Sequence, residues 1–377
     1  MTAAFPLPDD WRDAILVGRI DLGEGPTPVV VKQGRVFDVS KTAPTVSQLL
    51  EDWKGAPEGR DLGDINDLGL TRAWDGKGKV QLLAPIDLQC VKACGVTFAV
   101  SAIERVIEER AKGVPGRAQE IREQLAARIG TDIKSVVPGS PEAAKLKQTL
   151  IADGMWSQYL EVAIGPDAEV FTKAPPLSAV GWGAMIGVRS TSTWNNPEPE
   201  IVVVVDGKGK AVGATLGNDV NLRDYEGRSA LLLGEAKDNN ASTAIGPFVR
   251  MFDDRFTMDD VRSAVVELEI VGTDNYRLEG RSKMDQISRD PLNLVGQTIK
   301  EHQYPDGFVL FLGTLFAPTQ DRDNPGQGFT HKEGDVVRIS TPRLGVLENK
   351  VTSSKGAPPW TFGITALMKN LVARGLI

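Results

Sequence analysis

The stretch NNPEPEIVVVVDGKGKAVGATLGNDVNLRD, residues 195–224, decides how the rest of the chain is read. β-type runs flank Asp206-Gly207, and Asp-Gly between two such runs is the turn chemistry of a hairpin. DGKGKAVG, residues 206–213, also has the look of a glycine-rich phosphate loop. It lacks Gly-Lys-Ser/Thr and opens no helix, so the hairpin is the better reading. The apolar run Ile201–Val205 is preceded by two carboxylates, Glu198 and Glu200. In a strand, residues i and i+2 share a face, so the two carboxylates project side by side. Like charges at the entrance to a core are costly unless something compensates them, and a cation does so.

Past the turn, Asn218 and Asp219 interrupt a second apolar run, and the returning strand can bring Asp219 to the same end as Glu198 and Glu200. Three oxygen donors without His or Cys suit a hard cation: Mg²⁺, with Mn²⁺ or Ca²⁺ as substitutes. On spacing alone, a Glu-x-Glu before a strand is more often a solvated strand end.

Composition narrows the function classes. The chain has 377 residues and a formal charge of −7. That charge, with no Lys/Arg run interleaved with aromatics, argues against a nucleic-acid partner. No apolar run reaches the length of a membrane span, and the N-terminal stretch has no signal-peptide pattern. Cys90 and Cys94 are the only cysteines. So few thiols suggest a reducing compartment, hence a cytoplasmic protein, with both thiols buried beside a strand.

The expected fold class is α+β, mainly β. Residues 1–80 read as a small N-terminal α/β domain. Within it, RVFDVSKTAPTVSQLLEDW is a strand followed by a helix with Thr45 or Ser47 near its N-cap, and GAPEGRDLGDINDLG is a linker. Residues 81–377 read as the catalytic domain. It opens with the strand-like 80–100 and carries a helical insertion at about 102–155. In SAIERVIEERAKG, Ser101 is the expected N-cap with Glu104 at N3, a capping-box pattern. GRAQEIREQLAARIG and SPEAAKLKQTLIADG are amphipathic segments. From about 160 to 350, short β-type segments alternate with Gly, Pro and Asn/Asp turns, as in a mixed, mainly antiparallel sheet system.

The order of motifs across about 85–350 resembles the fumarylacetoacetate hydrolase family. Carrying it are EVFTKAPP, the Glu-x-Glu of NNPEPEIVVVV, GNDVNLRD, Lys237 ahead of a Gly-Pro, and the Gly-Thr of FLGT. The resemblance implies a mixed β-roll, usually a homodimer, with a Mg²⁺ site for 2-oxo acids. It implies Glu198, Glu200 and Asp219 as metal ligands and Lys237 as the active-site lysine. It also implies Thr314 as a holder of the substrate carboxylate, with Asn218 and Ser101 beside it. Lys173 is a supporting residue, and Arg223 with Asp224 reads as a structural ion pair.

One departure bears on the reaction. Hydrolases of the family carry a His–Glu dyad that activates water. The aligned stretch here is TFAVSAIE, with Ser101 in the histidine position and Glu104 retained. A neutral serine cannot replace imidazole as a base near pH 7. The dehydratase branch of the family needs no activated water. The segments EGPTPV, NNPEPE, GNDVNLRD, HQYPDGF and PWTFGI resemble that branch from end to end of the chain. It implies dehydration of the small-molecule sugar acid 2-keto-3-deoxy-D-xylonate (2-keto-3-deoxy-D-arabinonate) to 2,5-dioxopentanoate in pentose oxidation. Glu104 and Lys237 are then the acid–base pair, in either order. The alternative is a hydrolase cleaving a C–C bond of a 2,4-diketo acid, such as 2,4-diketo-3-deoxy-pentonate, to pyruvate and glycolate. A metal-binding module without turnover is a third reading.

Overall fold

The hairpin at 195–224 is present in the computed structural model, which describes residues 6–51, 53–75, 80–121, 136–316 and 320–377. Pro199–Val205 pairs antiparallel with Ala211–Asp219, with Ile201 opposite Leu216 and Val203 opposite Ala214. Asp206 fastens the turn: its Oδ1 accepts from the Lys208 and Lys210 amides at 3.0 and 2.9 Å. Both strands are buried almost throughout. A strand covered on both faces has no polar face to present, which accounts for the unbroken run of β-branched residues.

The hairpin is central in a 12-stranded sheet. The order across it is Arg60–Asp64, Arg35–Asp38, Pro26–Lys32, Leu16–Asp21, Thr243–Met251, Ala211–Asp219, Pro199–Val205, Phe308–Phe311, Cys90–Gly95 and Glu169–Ala174, with two short strands, Leu70–Thr71 and Val80–Leu83, off this path. A five-stranded sheet, Arg277–Lys283, Val265–Val271, Val336–Thr341, Gly345–Ser353 and Met185–Val188, packs against one face. Ile201, Val203 and Val205 meet Val266, Leu268 and Ile270 there in the main core. Val202 and Val204 turn to the other face, where Val46, Leu49 and Leu50 of the helix Val46–Leu50 cover them. Each such side chain, fully buried, is worth roughly 1.5–3 kcal/mol.

Two expectations for the N-terminal region need correction. The segment read as a linker contains the strand Arg60–Asp64, paired with Arg35–Asp38. The change of character near residue 80 is no break in the sheet either: Leu16–Asp21 pairs with Thr243–Met251 on one side and Val80–Leu83 on the other. Turn-rich composition marks the bulge between Val36 and Phe37 opposite Gly63, not the end of a domain. The helix at 46–50 is capped as expected, Thr45 accepting from the Gln48 amide at 3.1 Å. Helices also form at Ala99–Ala111 and Pro141–Ala152, inside the expected insertion. Most of the amphipathic segment 116–130 lies outside the described residues.

Candidate metal centre and active site

Strand direction brings the site together. The hairpin turn lies at one end of its two strands, so Glu198, Glu200 and Asp219 gather at the other. The Asp219 amide donates to the Glu198 carbonyl at 3.1 Å. Carboxylate oxygens of all three lie within 4.8 Å of one another; Glu200 and Asp219 are buried, and Glu198 is mostly so. The strands Phe308–Phe311 and Cys90–Gly95 run parallel to each other and deliver Gly313, Thr314 and Gly95 to that same end. Glu169 opens its strand opposite Gly95 and joins them.

Gly313 must be glycine. Its φ is +87°, and a Cβ there would meet Thr97 Oγ1 at 2.1 Å. That backbone aims the Gly313 amide at Glu200 Oε2, 2.6 Å away. It is the one hydrogen bond of the Glu200 carboxylate among the described residues, and no ion pair reaches it. Burial, then Asp219 and Glu198, push the Glu200 carboxyl well above the ordinary range. A buried carboxylate destabilised by two like-charged neighbours, with no cation bonded to it, fits a hard divalent ion. The residues that would hold one are Glu198, Glu200 and Asp219.

The cations stand to one side of this cluster. Lys237 Nζ is 2.7 Å from Glu198, 3.3 Å from Asp219 and 3.4 Å from Glu226. Burial pulls its pKa down, but Asp219, Glu198 and Glu226 outweigh burial and hold it above its ordinary value. Lys173 is fully buried, 3.1 Å from Asp219 Oδ1, and donates to the Lys237 carbonyl. Burial is the main reason its pKa is lowered, with Asp219 opposing.

The helix Ala99–Ala111 closes the site from above. Its start corrects one expectation: Phe98, not Ser101, is the N-cap, and Ser101 is at N3. The Ser101 hydroxyl accepts from the Phe98 amide at 3.3 Å and donates to the Phe98 carbonyl at 2.8 Å. Glu104 therefore lies a turn further in, free of the capping task, and pairs with Arg223 Nη2 at 3.0 Å. Arg223 also binds Glu108 at 2.5 Å, whereas Asp224 accepts from Ser192 Oγ and the Thr193 amide. The expected Arg223–Asp224 pair is thus two separate anchors.

Ser101, Glu104, Lys237 and Thr314 line the same pocket as the three carboxylates. Asn218 does not line it. Its Oδ1 accepts from the Glu198 amide at 3.3 Å, so it supports the backbone at Glu198. Thr314 Oγ1 accepts from the Phe316 amide at 3.0 Å. Four charged lining residues escaped the sequence reading. Arg105 bridges Glu198, Glu108 and Glu226. Glu108 holds Arg223. Glu226 has its carboxyl pushed up to about 7 by burial, against the pull of Arg105 and Lys237. Glu169 is raised by burial as well. In all, seven carboxylates line the pocket against three cationic side chains, Arg105, Arg223 and Lys237. Neither histidine of the chain lines it.

Known proteins share this arrangement of sequence and fold. The family model for the fumarylacetoacetate (FAA) hydrolase C-terminal region matches residues 155–352, which include the three carboxylates, Lys237 and Thr314 but not Glu104. A 2-dehydro-3-deoxy-D-arabinonate dehydratase of Saccharolobus solfataricus is 33% identical over 182 residues, 48% of this chain and 57% of that protein. The chain thus matches little more than half the length of that relative. A probable 2-keto-3-deoxyxylonate dehydratase of Haloferax volcanii is 30% identical over 261 residues, 69% of this chain and 82% of that protein. Among solved structures, a 2-keto-3-deoxy-D-arabinonate dehydratase complexed with magnesium and 2,5-dioxopentanoate has a TM-score of 0.63 and 22% identity, covering 90% of this chain and 99% of its own. A fumarylacetoacetate hydrolase from Exiguobacterium antarcticum has a TM-score of 0.54 at 15% identity, covering 90% and 100%. At these identities the two structures speak to the fold alone.

Proposed function

Because this chain belongs to the fumarylacetoacetate hydrolase family, we propose that its pocket dehydrates 2-keto-3-deoxy-D-xylonate (2-keto-3-deoxy-D-arabinonate) to 2,5-dioxopentanoate, with Mg²⁺ at Glu198, Glu200 and Asp219. The observation that carries the reading is the position opposite the metal carboxylates. It holds Ser101, tied to the Phe98 backbone, with Glu104 retained one turn on. A pocket with carboxylates and a lysine but no imidazole suits a proton-shuffling elimination better than attack by water. The names of the two dehydratase relatives support the same choice.

A bound divalent ion would supply Lewis-acid polarisation of a 2-keto acid and the positive charge that an anionic substrate requires among seven carboxylates. The rest falls to the chain. Glu104, held by Arg223 Nη2 at 3.0 Å, is the assigned acceptor of the C3 proton. The Lys237 ammonium, held charged by its three carboxylate neighbours, suits a donor to the departing C4 hydroxyl. Loss of that proton and hydroxyl as water leaves a C3–C4 double bond. A proton shift from C5 to C3 through the dienol gives a C4=C5 enol, and transfer of its hydroxyl proton to C4 gives the C5 aldehyde. Thr314 is the assigned holder of the substrate carboxylate, and Ser101 lines the wall beside it.

Product analysis tests this. Protein, Mg²⁺ and 2-keto-3-deoxy-D-xylonate are expected to yield one five-carbon product lighter by one water, oxidisable by a 2,5-dioxopentanoate dehydrogenase. No turnover of that acid, with a 2,4-diketo acid split into two fragments instead, would replace the dehydratase reading with the hydrolase one.

A further inference from the structure

Both oxygens of the Glu198 carboxylate are already held by cations. Arg105 Nη2 is 2.9 Å from Oε1, and Lys237 Nζ is 2.7 Å from Oε2. Asp219 Oδ1 has Lys173 at 3.1 Å and Lys237 at 3.3 Å. A divalent ion drawing on Glu198 and Asp219 therefore competes with these side chains for the same negative charge, and repels them.

The cations are not equally free to yield. Arg105 is held as well by Glu108 Oε2 at 2.9 Å, by Glu226 Oε2 and by Asn221 Oδ1 at 3.4 Å. Lys173 donates to the carbonyls of Lys237 and Ser242. Either would have to break those contacts to leave. Lys237 Nζ faces three carboxylates: Glu198, Asp219 and Glu226 Oε1, the last at 3.4 Å. Of the three, Glu226 alone is not an assigned metal ligand.

Glu226 is arranged to take the ammonium. The residue is 4% exposed, and its Oε1 is buried with no hydrogen bond among the described residues. Its Oε2 is fixed by Arg105, and Tyr159 Oη donates to its backbone carbonyl at 3.1 Å. One oxygen is thus anchored and the other open, and a buried open acceptor costs free energy until a donor reaches it. The donor is close. Lys237 ends the helix Leu233–Lys237, and its carbonyl accepts from Ser242 Oγ at 2.8 Å. The backbone is fixed there while the flexible side-chain stem can still turn. A shift of about half an ångström brings Nζ within charge-assisted hydrogen-bond distance of Oε1.

We propose that Glu226 is a positioning residue: it receives the Lys237 ammonium when a divalent ion takes Glu198 and Asp219, and holds it beside the pocket. This rests on the metal reading given above. Without the Glu226 charge, the ammonium stays on Glu198 and competes with the ion.

A double-mutant cycle tests it. The metal-stripped full chain is titrated with Mg²⁺ by calorimetry at about pH 8, above the value of about 7 to which burial raises the Glu226 carboxyl. Glu226→Gln should weaken Mg²⁺ binding about tenfold or more, whereas beside Lys237→Met the same substitution should change it about threefold or less, since no ammonium is left to compete. Equal losses in the two backgrounds would make Glu226 a distant charge and overturn the proposal; so would unchanged affinity in Glu226→Gln. At saturating Mg²⁺, Glu226→Gln should lower kcat with little change in KM for the sugar acid, and an unchanged kcat would overturn it too. Should Glu226→Gln fail to fold, Glu226→Asp keeps a charge for Arg105 but shortens the reach to Lys237. Its effect on Mg²⁺ affinity should likewise require Lys237, and an effect independent of Lys237 would overturn the proposal. A wild type that binds no Mg²⁺ overturns the metal reading and the proposal together. A cycle with the expected coupling in a protein that leaves the sugar acid unchanged supports the role of Glu226 and overturns the dehydratase reading alone.

Discussion

Glu200→Gln separates a metal ligand from a structural acid by the sign of its effect. The three carboxylates have oxygens within 4.8 Å of one another. At an effective dielectric of about 20, two unit charges at that spacing repel by about 3.5 kcal/mol. Glu200 has two such neighbours, and burial with that repulsion raises its pKa. Glutamine keeps an acceptor for the Gly313 amide and removes the charge. Without metal, the variant should be as stable as wild type or more so. With Mg²⁺, it should bind more than about a hundredfold more weakly, since even outer-shell partners of a metal are worth roughly 10–100-fold. The pH dependence has a definite sign. At low pH the carboxyl is protonated in folded and unfolded chains alike. As pH rises past the ordinary carboxylate value, the unfolded chain loses the proton first, and stability falls until the raised folded pKa is passed. That decline should be present in metal-free wild type and reduced in the variant. Chemical denaturation in EDTA across pH, and calorimetry with Mg²⁺, measure both halves. A metal-free variant destabilised by 2–3 kcal/mol that still binds Mg²⁺ like wild type would show that Glu200 merely anchors Gly313, on the scale of a lost charged hydrogen bond.

Other perturbations follow from the same geometry. Lys237→Met should abolish turnover and tighten Mg²⁺ binding, because it removes an ammonium 2.7 Å from Glu198 and 3.3 Å from Asp219; unchanged turnover in a steady-state assay would remove Lys237 from the reaction. Glu104→Gln should stop deuterium exchange at substrate C3, read by NMR in D₂O, while Mg²⁺ affinity holds. Ser101→Ala should retain most turnover and lose about 1 kcal/mol of stability, the worth of the hydroxyl's contacts with the Phe98 backbone, measured by urea denaturation. Glu226, raised to about 7 by burial, should make the metal-free protein lose stability as pH rises from about 4.5 to 7. Glu226→Gln should flatten that part of the curve in a pH series of thermal melts.

What the sequence disclosed and what it hid have a common physical origin. Glu198, Glu200 and Asp219 were legible because strand alternation and a two-way hairpin fix their relative positions within about 20 residues of chain. Lys237 and Thr314 came from a motif order that tracks the ends of neighbouring strands. Arg105, Glu108, Glu169 and Glu226 were not legible, since their burial depends on contacts between distant segments. Arg105 and Glu198, for instance, are 93 residues apart. The helix Ala99–Ala111 makes the point sharply. Ser101, Glu104, Arg105 and Glu108 recur at helical spacing on one face, and Ala99, Ala102, Val106, Ile107 and Ala111 form the packed remainder. Periodicity alone assigns the polar face of such a helix to water. Here the apolar face packs against other helices, and the polar face meets a carboxylate-lined pocket. The three-residue error in the helix start has the same source. An N-cap with an oxygen side chain is the expected signal, but Phe98 takes the position in an extended conformation, φ −122°, and the Ser101 hydroxyl supplies the missing acceptor from within the helix. That shift removes Glu104 from the cap and leaves it to Arg223, the contact that holds this assigned proton acceptor in place.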